Sequence, residues 1–172
     1  MRQVRFSVAM SLDGYIAGPK GESDWIVMDP DIDFSALMGM FDTLLMGRKT
    51  YEAARKSHRG SGGMPGMDAY VISTTLAQRD CPDVTVSDNP AALVSTLKSK
   101  PGKDIWLFGG GSLFRSMLEL RLVDMVDVAV IPVLLGGGMP LLPASSSRAK
   151  LKLITHRVYE KTGTVSLEYR AV

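Results

Sequence analysis

The sequence predicts an α/β fold, with a mostly parallel central sheet, helices on both faces and an antiparallel hairpin at its C-terminal end. Three observations carry this. Apolar segments of strand length alternate with segments of helical spacing from Val4 to Ile131. Several strand segments, 43–47 and 105–108 among them, are continuous apolar runs, as strands covered on both faces are. The tail offers two segments, 151–159 and 164–170, around a turn at Thr162-Gly163; Val165, Leu167 and Tyr169 face one way and Ser166, Glu168 and Arg170 the other. The 172 residues favour one domain spanning 1–172, large enough to bury a core without staples. No linker, internal repeat or low-complexity segment divides it.

In order, residues 4–9 alternate and make the first strand. Turn signals follow at Asp13-Gly14 and Gly18-Pro19. Tyr15, Ile16 and Ala17 between them are too apolar for a bare loop. They read as a strand end running into a partly buried loop that covers a ligand, with a hairpin turn at Asp13-Gly14 as the alternative. Residues 19–33 form a long connection whose Trp25 needs the core or a bound ring to pack on. Phe34, Leu37, Met38 and Phe41 have helical spacing behind a candidate N-cap, Asp33. Strand 43–47 opens into a helix at Arg48-Lys49-Thr50, and 55–66 is a basic, glycine-rich loop with His58 in water. Strand 69–72 ends at Ser73-Thr74-Thr75, and 84–86 is a short strand. Asn89-Pro90 then starts a helix with Leu93, Val94 and Leu97 on its apolar face. Strand 105–108 leads through three glycines to a helix capped by Ser112 and ending near 120, and 125–131 is a further buried strand. A second triple glycine, 136–138, precedes no helical pattern and reads as a loop lining a ligand mouth; His156 reads as an ordinary sheet histidine.

Composition narrows the function. A net charge of +2 gives no reason to expect nucleic acid or an anionic membrane as partner. The single cysteine, Cys81, excludes an internal disulfide and a cysteine metal site, and fits the reducing cytoplasm. No apolar run reaches membrane-spanning length, and the first residues lack the apolar core of a signal peptide. Neither a metal site nor a nucleophilic triad is offered.

Three anion-friendly strand ends are offered instead. At Gly109-Gly110-Gly111-Ser112-Leu113 a strand meets a helix through glycines whose N–H groups no Cβ shields, where the helix dipole favours a phosphate. At Gly47-Arg48-Lys49-Thr50 two cations sit at the positive end of a helix, where a bound anion would offset their repulsion of about 0.3–1 kcal/mol each. Ser73 and Thr74 add hydroxyls at a third strand end. Open α/β sheets bind ligands beyond the carboxyl ends of their strands, and a dinucleotide bearing a 2′-phosphate would use all three spots. Arg48 and Lys49 favour that phosphate, because a 2′-hydroxyl is read by Asp or Glu.

These residues also resemble a known family, the dihydrofolate reductase-like superfamily, specifically the reductase domain of the riboflavin-biosynthesis deaminase-reductase (the RibD C-terminal domain). The matching stretches are 11–17 (SLDGYIA), 46–52 (MGRKTYE), 71–73 (VIS), 108–113 (FGGGSL) and 132–138 (PVLLGGG), in the family's order. The resemblance implies a dihydrofolate reductase-like three-layer fold, bound NADPH and a homodimer. It implies that Gly47, Arg48, Lys49 and Thr50 hold the adenosine phosphate with Ser73 and Thr74 beside them. Gly109, Gly110, Gly111, Ser112 and Leu113 would hold the pyrophosphate, and Ile16 and Ala17 the nicotinamide carboxamide. The implied activity is hydride transfer to a small heterocyclic or carbonyl/imine substrate, pyrimidine- or pterin-like. Dihydrofolate reduction proper and a non-catalytic NADP-binding module are the alternatives. Asp13 and Asp33 are the foremost candidates for a catalytic acid, with Asp24 and Asp31 behind them.

Overall fold

The computed structural model describes residues 1–56, 62–144 and 148–172; His58 lies outside the described residues. Strand β1 (Val4–Ser11) runs through the middle of an eight-stranded sheet, parallel to β6 (Asp104–Gly109) on one side and β7 (Met125–Ile131) on the other. Beyond β6 lie β3 (Phe41–Gly47), β4 (Asp68–Ile72) and β5 (Thr85–Ser87), all parallel. Beyond β7, β10 (Thr164–Ala171) and β9 (Leu151–Tyr159) add an antiparallel hairpin, giving the order β5-β4-β3-β6-β1-β7-β10-β9. Two short strands, β2 (Tyr15–Ala17) and β8 (Met139–Pro140), pair separately. The helices are α1 (Phe34–Gly39), α2 (Arg48–Lys56), α3 (Pro90–Ser99) and α4 (Gly111–Glu119). This is the three-layer arrangement expected from the sequence.

Alternation along the strands builds two cores. On one face Val4, Phe6, Leu45, Leu107 and Val128 pack under α3 and α4, where the Phe6 and Phe114 rings stack 3.8 Å apart. On the other, Leu44, Met46, Val71 and Trp106 pack under α2 through Tyr51. Each fully buried Leu or Phe contributes about 1.5–3 kcal/mol. Tyr51 donates to Asp83 at 2.7 Å, and burial raises its phenol pKa.

The second face is also tied electrostatically. Arg5 on β1 donates to Asp104 on β6, Asp127 on β7 and Glu168 on β10, so one guanidinium joins four adjacent strands. Ser7 donates to Asp127 as well. Burial pushes the Asp127 carboxyl above its ordinary pKa, against the opposing pull of Ser7 and Arg5. Removing one partner of such a buried pair typically costs about 3–5 kcal/mol.

Two sequence expectations are corrected. The helix after Asp33 stops at Gly39, and Phe41 already belongs to β3, where its ring stacks on Trp106. Sheet pairing overrides helical spacing there, because the Met40 carbonyl accepts from Asp104 N. Ser112 is not the cap of α4: the helix starts at Gly111, with Gly110 as an extended N-cap that has no side chain to offer. By contrast Asp33 and Asn89 cap α1 and α3 as their types suggest. Trp25 is half-buried and its indole N–H donates to the Glu22 carbonyl within its own loop. Cys81 is free and buried. The edge strand β9 is exposed along nearly its whole length, His156 included. Among the described residues no helix is long and apolar enough to cross a membrane.

Candidate functional site

The parallel register brings the three anion-friendly stretches to one end of the sheet. Gly47 lies opposite Ile72 on β4, so Ser73 and Thr74 continue beside the start of α2. Met46 lies opposite Gly109 on β6, so the two strand-to-helix turns are neighbours. A Cβ built on Gly47 would stand 3.7 Å from Leu113 Cβ, which places the N-termini of α2 and α4 side by side. Arg48 and Lys49 fall in the first turn of α2, which carries no acid; Arg48 Nη1 donates to Glu52 one turn on. The Ser73 hydroxyl is occupied locally, accepting from the N–H groups of Thr75 and Leu76, while Thr74 is exposed.

The three glycines of the central turn do different work. Gly109 has φ +147°, a conformation that L side chains rarely adopt. A Cβ on Gly109 or Gly110 would meet only Thr50 Oγ1, at 3.9 and 3.7 Å, an ordinary contact, so packing bars a side chain at neither. A Cβ on Gly111 would strike Pro140 O at 2.7 Å and Leu141 O at 3.1 Å. Gly111 is therefore a packing glycine that seats the end of β8 and Leu141 against the start of α4.

That segment also reaches Ile16 and Ala17. Strand β2 pairs with β8 through Tyr15 with Pro140 and Ala17 with Met139, which settles Tyr15 to Ala17 as a short strand rather than one arm of a hairpin with β1. The second triple glycine serves this contact, because a Cβ on Gly138 would overlap the Ala17 carbonyl. Asp13 sits at the turn before β2. Its carboxylate accepts from Ser11 Oγ at 2.6 Å, Gly136 N at 2.7 Å and Leu135 N at 3.1 Å. The Ser11 hydroxyl first, then the Gly136 and Leu135 N–H groups, hold Asp13 below its ordinary pKa, so it stays an acceptor.

The remaining acid candidates lie elsewhere. Asp33 Oδ1 accepts from Ala36 N as the cap of α1. Asp31 pairs with Lys161 at 2.7 Å, Asp29 accepts from Thr162, and Asp24 is exposed. The 19–33 connection is thus fastened to the turn between β9 and β10. On the face bearing Arg5, small half-buried residues, Ser7 and Ala9 of β1, Ala129 of β7 and Ser166 of β10, form a shallow floor outside the cover of α2. Sequence reasoning missed this floor and the role of 133–141; alternate small residues on β1 and β7 were the available signal for the floor. A cavity of about 610 Å³ lies at the other end of the sheet, beside Gln3, Arg121 and Asp124 at the starts of β1 and β7.

A family model described as the RibD C-terminal domain matches residues 2–165. The chain belongs to the RibD C-terminal domain family. Uncharacterised protein YyaP of Bacillus subtilis (strain 168) is 35% identical to this RibD C-terminal domain chain over 98% of it and 94% of the relative. A crystal structure of a candidate riboflavin biosynthesis protein from Shewanella sp. PV-4 is 27% identical, with a TM-score of 0.81, covering 100% of this chain and 99% of that one. A dihydrofolate reductase from Enterococcus faecalis, solved with NADP(H), has a TM-score of 0.69 at 16% identity over 98% of this chain and 96% of its own, a likeness of fold. Membership of the RibD C-terminal domain family supports an oxidoreductase-like role.

The glycine assignments make a paired prediction. Gly111→Ala will destabilise the fold by about 1–3 kcal/mol in urea unfolding, the usual range for overpacking. Gly110→Ala, at φ −94° with only an ordinary contact to Thr50, will unfold within about 1 kcal/mol of wild type. Equal losses from the two would contradict the assignment.

Proposed function

We propose that the protein is an NADPH-dependent reductase that transfers a hydride to a small heterocyclic or carbonyl/imine substrate, pyrimidine- or pterin-like. One observation carries the reading: Gly47 to Thr50, Ser73-Thr74 and Gly109 to Leu113 converge at one end of the sheet, where a Cβ on Gly109 or Gly110 would meet nothing nearer than Thr50 Oγ1. The fit to the coenzyme is that of a cradle a Cβ would fill. Gly109, Gly110 and the first N–H groups of α4 at Gly111, Ser112 and Leu113 hold the pyrophosphate. Gly47 and Thr50 border the adenosine side, Arg48 and Lys49 take the 2′-phosphate, and Ser73 and Thr74 flank it. The backbone of Ile16 and Ala17 holds the carboxamide. When bound, the coenzyme supplies the hydride.

The chain contributes alignment and exclusion of water. The substrate lies on the floor of Ser7, Ala9, Ala129 and Ser166, which are half-buried and adjacent on one face. Asp13 is held in its charged form by its donors and Asp33 caps a helix, so the reading leaves proton delivery to water at the floor. One buried free cysteine suits a cytoplasmic setting. A homodimer belongs to the same reading, because β9 is a long edge with Leu153, Ile154 and Val158 exposed, a surface that needs cover.

Thermal shift with NADPH, NADH and buffer in parallel tests the coenzyme. At a hundredfold excess over Kd, NADPH will add about 2.7 kcal/mol of stability. NADH will add less, and Arg48→Glu will reduce the NADPH shift; equal shifts with both coenzymes contradict the 2′-phosphate assignment. Sedimentation at micromolar concentration will give twice the chain mass, and a monomer there contradicts the dimer.

A further inference from the structure

We propose that Asp13 is a positioning residue for the nicotinamide end of the site: its carboxylate latches the 133–141 segment onto the 12–17 turn, and that segment sets β2 against the start of α4. The proposal rests on the coenzyme reading above.

The segment is a strap with contacts on two sides. Towards β2, Leu12 N donates to Val133 O at 2.9 Å and Leu141 N to Gly14 O at 2.9 Å. Between these ties come the Asp13 carboxylate with its two strap amides, then the β2–β8 pairing. Towards α4, Pro140 and Leu141 present the carbonyls that leave no room for a Cβ at Gly111. The strap therefore spans from the strand that would hold the carboxamide to the turn that would hold the pyrophosphate, and its seating fixes the distance between them. A dinucleotide needs that distance fixed, because both ends of one ligand must be met together.

Asp13 is the side chain that closes the latch. Its partners at 135 and 136 lie more than a hundred residues downstream, so its side chain adds a tie between two segments that otherwise meet through backbone bonds alone. Ser11 completes a relay: its hydroxyl donates to Asp13 and accepts from Tyr15 N at 2.9 Å, the first residue of β2. All three groups facing the carboxylate are donors, and an ionised carboxylate is acceptor-only, so Asp fits where Asn would turn an NH2 towards an N–H. Asp13 is exposed and outside both cores, and the flanking backbone ties do not involve its side chain. Loss of the carboxylate will loosen the strap without unfolding the sheet.

The test titrates wild type, Asp13→Ala, Asp13→Asn and Ser11→Ala with NADPH and with 2′,5′-ADP, which carries the adenosine phosphates but no nicotinamide. Hydrogen exchange at Tyr15, Ile16 and Ala17 is read without ligand. Asp13→Ala will bind NADPH roughly tenfold more weakly, which corresponds to the low end of what one hydrogen bond to a charged group contributes. It will bind 2′,5′-ADP as wild type does, and exchange at β2 will rise. Asp13→Asn will fall between, and Ser11→Ala will show the same split in weaker form. NADPH affinity unchanged in Asp13→Ala, or equal loss of both ligands, overturns the latch and leaves the coenzyme reading standing. A wild type that binds neither ligand overturns the coenzyme reading and the latch with it.

Discussion

The parallel pairing of β3 with β4 on one side and β6 on the other is the constraint on which the site depends. Parallel strands end at the same edge, so each strand-to-helix turn opens at one place and points its helix N-terminus the same way. The register then makes neighbours of Gly47 and Ser73, and of Thr50 and the Gly109-Gly110 pair. Two helix N-termini, that of α4 entered through glycines, lie beside Arg48 and Lys49 and concentrate positive potential at that end of the sheet. The apolar runs of β3 and β6 are what make the pairing stable, since Leu44, Leu45, Met46 and Leu107 are buried on one face or the other.

The other half of the sheet is built to a different end. Arg5 draws β6, β1, β7 and β10 together with three carboxylates where a helix would otherwise supply cover. With the strands held in this way, the residues above them on the same face can be small: Ser7, Ala9, Ala129 and Ser166. One face of a single sheet thus carries a packed apolar layer under α2 and an open, polar-based floor beside it. The 19–33 connection is fastened through Asp29 and Asp31 to Thr162 and Lys161.

What could be read from the sequence was whatever neighbouring residues determine. Strands 43–47 and 105–108 were legible because burial on both faces leaves a continuous apolar run. Asp33 and Asn89 were legible as caps because a cap bonds its own helix three residues on. Ser112 misled for the complementary reason: Gly110 caps α4 with backbone alone and leaves no side-chain signal. Phe41 misled because Asp104, far along the chain, claims the carbonyl before it. The meaning of Gly111 and Gly138 was hidden, since the carbonyls they avoid belong to Pro140, Leu141 and Ala17. Asp13 could be singled out but not understood, because its donors arrive from Leu135 and Gly136. Sequence pattern names the chemistry-bearing residues; long-range pairing decides which of them face a ligand and which hold the walls.

The central claim is that these walls enclose a site for a phosphorylated dinucleotide at the C-terminal edge of β3 and β6. A crystal soaked with NADPH tests it directly. The account predicts the coenzyme's diphosphate within hydrogen-bond reach of the N–H groups of Gly110 to Leu113. Diphosphate density elsewhere, for instance in the cavity beside Gln3 and Arg121 at the opposite edge, would contradict it.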